Sequence, residues 1–97
     1  MEYRVLPTRD VSQALRRLRQ EAVARGVESE VWADLGRLEE RMRTGPLQNG
    51  DPVCTLPSGR AVIYRDMQGS VCCYYAVYEE EKVVYVYSVR WGSLPGE

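Results

Sequence analysis

Two arginines and a group of aromatic side chains carry most of the chemistry that this sequence offers. Arg65 lies near the end of a β-rich run that begins at Arg60, and Arg90 sits one residue before Trp91 at the end of another. A guanidinium is permanently charged and planar, so it forks onto phosphoryl or carboxylate oxygens but accepts no proton at neutral pH. Arg65 and Arg90 are therefore candidates to neutralise a phosphodiester. Tyr64, Tyr74, Tyr78, Tyr85, Tyr87 and Trp91 offer rings that stack on bases or bury a partner segment. Plainer roles compete with both readings. Either arginine would serve equally in a surface ion pair with Asp66 or with the Glu79–Glu81 run, and such pairs contribute little. About half of the tyrosines must belong to the core.

Other chemistries find no support. The chain has no histidine, hence neither the commonest acid–base catalyst nor the commonest metal ligand. Its only lysine, Lys82, follows a run of three glutamates, so no serine gains a basic partner. Asp51 and Asp66 have no spacing that argues for acid–base work, and phosphate-cradling glycine motifs are absent. The cysteines, Cys54, Cys72 and Cys73, are odd in number and include no CxxC. Adjacent strand residues point to opposite faces, so Cys72 and Cys73 are poorly placed to pair or to share a metal. They read as reduced packing residues, with no metal and no cofactor expected. Thirteen basic residues against fourteen acidic ones give a net charge of −1, which disfavours a general nucleic-acid binder. The first residues lack the apolar stretch of a signal peptide, and no run approaches membrane-spanning length. A cytoplasmic protein without a membrane partner is expected.

These side chains need a scaffold, and the pattern predicts one α+β domain over residues 1–97. Three runs rich in Tyr, Val, Ile and Cys, from Arg60 to Trp91, are broken at Gly69-Ser70 and at Glu79–Glu81. They predict an antiparallel three-stranded meander. A short strand is expected over Tyr3 to Thr8. Val11, Ala14, Leu15, Leu18 and Ala22 form a helical stripe, with Asp10 and Gln13 as a capping box and Gly26 as the stop. A second helix should open at Ser29, bury Val31, Trp32, Leu35, Leu38 and Met42, and end at Gly45-Pro46. On its exposed side Glu39 and Arg43 attract, whereas Arg37 and Arg41 repel mildly. The two helices should form an antiparallel hairpin packed on one face of the sheet. Leu47 to Gly50 reads as a loop, and Asp51 to Leu56 as a further short strand whose pairing is open. The tail SLPGE should fray. Strict alternation places Val83, Tyr85, Tyr87, Val89 and Trp91 on one face of the last strand, opposite Val84, Val86, Ser88 and Arg90.

The order strand, helix, helix, antiparallel sheet resembles the RelE/ParE superfamily of bacterial toxins. The local likeness is LPSGRAVIYRDMQGSVCCYYAVYEEEKVVYVYSVRW: a strand, a Gly-containing turn, a Tyr-rich strand, an acidic turn, then a Val-rich strand ending in a basic residue. MRTGPL matches the family's Pro-containing exit from the second helix. The resemblance implies a toxin of a type II toxin–antitoxin system, of the plasmid-stabilisation kind, partnered by a cognate antitoxin. It implies either RelE-like cleavage of mRNA in the ribosome or ParE-like inhibition of DNA gyrase. Arg65 and Arg90 fall on basic positions of the RelE-like site. Cys72 stands where that site commonly has an Arg, the helix-exit lysines have no counterpart, and neither Tyr nor His follows Trp91. These departures favour a ParE-like or degenerate role over cleavage. The alternative is a non-toxic domain of the same fold that forms a homodimer through Tyr85, Tyr87 and Trp91.

Overall fold

The computed structural model describes residues 2–92. Strand β1 (Arg4–Pro7) is followed by helices α1 (Val11–Arg25), α2 (Glu28–Thr44) and α3 (Pro46–Asn49). Four strands follow among the described residues: β2 (Asp51–Thr55), β3 (Val62–Gln68), β4 (Val71–Tyr78) and β5 (Val83–Trp91). They form one mixed sheet in the order β1-β5-β4-β3-β2. The predicted meander is its centre. Strand β1 adds to the β5 edge in parallel, and β2 pairs antiparallel with β3, which settles its open pairing. Pro7 lies on the edge strand, where a missing N–H disrupts least. Among the described residues no helix is long and apolar enough to cross a membrane.

The helix hairpin covers one face of the sheet. Val11, Leu18 and Ala22 of α1, and Val31, Leu38 and Met42 of α2, meet Val71, Cys73, Tyr75, Val77, Val84, Val86 and Val89 in a single core. Three- and four-residue spacing put these helical side chains on one stripe, as predicted. Tyr75 is the largest fully buried residue, and its hydroxyl donates to the Pro46 carbonyl at 2.8 Å. Burial pushes its phenol well above the ordinary range, so it stays a neutral donor. Gly50 makes room for it, because a Cβ there would collide with the Tyr75 hydroxyl. Gly26 ends α1 in the left-handed conformation (φ 71°), as its position suggested.

Several local expectations are corrected. Asp10 makes no side-chain cap; it is already helical, and its carbonyl accepts the Ala14 N–H at 3.2 Å. Helix α2 starts at Glu28 rather than Ser29, without a side-chain cap, and the Ser29 hydroxyl instead faces Glu30. Trp32 leaves the predicted stripe and is 46% exposed. Leu47 is not in a loop: Pro46 at the first position of α3 starts a helical turn. Cys54 is exposed on β2, whereas Cys72 and Cys73 are buried on opposite faces. Arg37 and Arg41 do not face each other. Arg37 pairs with Asp34, and Arg41 reaches across to the sheet.

The largest correction concerns β5. Tyr74 pairs with Ser88, but Tyr75 pairs with Val86, so Tyr87 is an extra residue in a β-bulge. Beyond the bulge the alternation flips. Val84, Val86 and Val89 all face the helices, and Trp91 packs against the same core. Ser88 and Arg90 lie on the open face with Tyr85. Val89 and Trp91 therefore do not share a face with Tyr85, as strict period two predicted.

Candidate functional site

The open face of the sheet carries Ile63, Arg65 and Met67 of β3, Cys72, Tyr74, Ala76 and Tyr78 of β4, and Tyr85, Ser88 and Arg90 of β5. Register brings three of these together. Arg65 pairs with Tyr74, and Cys72 pairs with Arg90, so the two arginines flank Tyr74 across the middle strand. The Arg90 guanidinium lies 5.2 Å from the centre of the Tyr74 ring, and its Nη2 donates to the Tyr74 hydroxyl at 3.2 Å. Arg65, Tyr74 and Arg90 line a pocket of about 230 Å³ with Met67, Cys72, Trp91 and Gly92. Without the Tyr87 bulge, alternation would point Arg90 at the helices.

Among the described residues neither arginine forms a salt bridge, although Asp51 of β2 is the cross-strand neighbour of Arg65 on the same face. The carboxylates that sequence offered as partners are engaged elsewhere or stand away. Asp66 accepts from Arg41 Nε at 2.7 Å and Nη2 at 3.2 Å, and Glu81 accepts from Arg60 at 2.7 Å. Two guanidiniums beside a phenol have the chemistry to bind an anion, because their forks suit phosphoryl oxygens and a developing negative charge gains most from fixed cations. The Tyr74 hydroxyl already accepts from Arg90, which leaves its own proton free to donate into the pocket. No imidazole, lysine or carboxylate lines the pocket, so it supplies charge and one donor but no ready proton acceptor. Among the described residues no group of three potential ligands could hold a metal ion.

The remaining candidates separate into different surroundings. Tyr78, Tyr85 and Tyr87 gather at the other end of the open face. Tyr78 and Tyr85 meet edge-to-face with ring centres 5.5 Å apart, and Tyr85 and Tyr87 are 37% and 42% exposed. Burial, then the neighbouring Tyr78, raises the Tyr87 phenol. Tyr64 lies on the helix side, stacked on Tyr75 at 5.8 Å, and does not join Tyr74. Trp91 turns to the helix side as well, where the Arg25 guanidinium covers its ring at 4.6 Å.

One contributor escaped sequence reading. Arg41 of α2 binds Asp66 with two nitrogens and also donates to the Asn49 carbonyl at 2.9 Å, while the Asn49 amide returns a bond to the Arg41 carbonyl at 3.1 Å. Asp66 is the one buried charged side chain in the described core, and it also accepts the Met67 N–H at 2.8 Å. This network fixes β3 beside α2 and α3, with Arg65 immediately before the buried carboxylate and Met67 immediately after it. A polar residue breaking the apolar helix-facing alternation of β3 (Val62, Tyr64, Asp66) was the available signal.

No protein-family model and no curated protein matches the sequence. Solved structures do match the fold. A chain of the archaeal RelE–RelB complex from Pyrococcus horikoshii OT3 superposes with a TM-score of 0.62 and 20% identity, over 94% of this chain and 96% of that one. A chain of the toxin–antitoxin complex RelBE2 from Mycobacterium tuberculosis gives 0.60 and 22%, over 94% and 99%. Matched along nearly its whole length, with a mixed five-stranded sheet backed by helices, this chain has a RelE-like fold.

Proposed function

We propose that this protein is the toxin component of a toxin–antitoxin pair, and that the Arg65–Tyr74–Arg90 pocket holds an RNA phosphodiester. The observation that carries the reading is the convergence of two unpaired guanidiniums and a phenol in one pocket of the open face. The shared fold with chains of toxin–antitoxin complexes supports the toxin role. The sequence departures weighed against cleavage; the geometry now favours an RNA-directed role over gyrase inhibition, because the pocket suits a phosphate.

In this reading Arg65 and Arg90 stabilise charge on the phosphoryl oxygens, and Tyr74 donates to the leaving 5′-oxygen. The attacking 2′-hydroxyl gives its proton to water, since the pocket has no acceptor for it. Alignment of the RNA must then come from a larger body, consistent with action on the ribosome. The cognate antitoxin silences the protein by covering the open face, where Tyr78, Tyr85 and Tyr87 provide anchors.

Binding of a short single-stranded RNA to the full chain, followed by fluorescence anisotropy, tests the pocket. Affinity should fall steeply with salt, and Arg65→Ala and Arg90→Ala should each weaken it about tenfold, the worth of one charge-assisted contact. Unchanged affinity in both variants would remove the phosphate assignment.

A further inference from the structure

A second concavity lies on the other side of the sheet, beyond the end of the helix hairpin. It encloses about 370 Å³, with Leu47, Val62, Tyr64 and Val77 among the residues lining it and Glu79 and Glu80 at its lip. Val62, Tyr64 and Val77 face the helix side, so this groove and the arginine pocket open on opposite faces. Helix α3 reaches the groove only through Leu47; Val62 and Tyr64 remain partly open there, whereas Val77 is buried.

The lip is acidic on balance, with Glu79, Glu80 and Glu81 against Arg60. Arg60 neutralises Glu81 at 2.7 Å, and Lys82 is turned toward the Tyr3 ring at 5.0 Å. Among the described residues Glu79 and Glu80 have no cationic partner. The field of this lip reaches the groove: burial raises the Tyr64 phenol, and the Glu79 carboxylate raises it further. An apolar wall beside two unneutralised carboxylates complements a side chain with an apolar stem and a cationic head.

We propose that this groove docks a protein partner through a segment that places Arg or Lys beside apolar residues. Docking there leaves the arginine pocket open. A chain that occupies both must pass around the sheet edge, presenting basic residues to Glu79 and Glu80 and acidic ones to Arg65 and Arg90. The proposal stands independently of the RNA reading.

The test titrates the isotope-labelled full chain with two synthetic peptides of equal length, one alternating Leu with Arg and the other Leu with Glu. The Leu/Arg peptide should shift the amides of Leu47, Val62, Tyr64 and Val77 and leave those of Arg65 and Arg90 in place. The E79Q/E80Q variant should weaken its binding about three- to tenfold, the range that two exposed ion pairs supply. Equal response to the Leu/Glu peptide, shifts outside the groove, or full affinity in the variant would overturn the proposal. A dimer of the protein alone that E79Q/E80Q dissociates would overturn it too, by assigning the groove to a second copy. Loss of RNA binding in the arginine variants has no bearing on these outcomes.

Discussion

At the scale of single residues, the site depends on which side chains are left without partners. Arg65 and Tyr74 were each legible as strand residues, but period two within a strand does not say which faces of β3 and β4 coincide; the register that pairs them does. Arg90 was placed with the wrong neighbours, since a bulge at Tyr87 leaves no mark in a run of alternating Val and Tyr. Arg41 was hidden for another reason: helical spacing places it near Arg37, while its length carries it to Asp66. Replacing Arg41 or Asp66 by Ala should cost about 2 to 3 kcal/mol in urea unfolding, because each truncation strands a partner; the exposure of a third of the Arg41 side chain keeps the cost at the lower end. A loss within the range of ordinary surface pairs, about 0 to 1 kcal/mol, would contradict that role. Cys73 supplies a pH test. Burial, then Asp66, pushes its thiol up to about 12. The unfolded thiol ionises near pH ~8.5, so across the window up to about 12 the unfolded state alone loses its proton. Stability is therefore fully present below pH ~8.5 and falls as pH rises. Thermal melts at neutral and alkaline pH should show the fall, and Cys73→Ala should flatten that part of it. At mildly alkaline pH an alkylating reagent should modify exposed Cys54 well before Cys73.

At the scale of elements, the helix hairpin and the meander were readable because apolar spacing and turn residues agree. What escaped was the wiring between elements. Pairing of β1 with β5 in parallel joins chain segments far apart in sequence, and no local pattern encodes it. The capping residues misled because backbone carbonyls of Thr8 and Asp10 start α1 without a side-chain oxygen. The α3–β2 junction illustrates the same coupling. Gly50 has an ordinary extended φ of −98°, so its requirement is space rather than backbone freedom. Gly50→Ala should lower stability by about 1 to 3 kcal/mol, as overpacking does. Tyr75→Phe removes the colliding hydroxyl at the expense of its bond to Pro46, so the double variant should lose less than the sum of the single ones. Strict additivity in a double-mutant cycle would contradict the packing argument.

At the scale of the whole molecule, charge is balanced overall. Arg65 and Arg90 share the open face with Asp51, while among the described residues Glu79 and Glu80 stand without a salt bridge at the acidic turn. A net charge of −1 argued against RNA, whereas the proposed phosphate role rests on the local geometry of Arg65, Tyr74 and Arg90. The measurement that tests the toxin reading most directly is growth of a bacterial host under tight induction of this chain alone, beside Arg65→Ala/Arg90→Ala at equal levels of folded protein. The account predicts arrest with new 5′ ends within transcripts for the unaltered chain, and normal growth with intact transcripts for the double variant. Normal growth under the unaltered chain, or arrest that persists undiminished in the double variant, would contradict it.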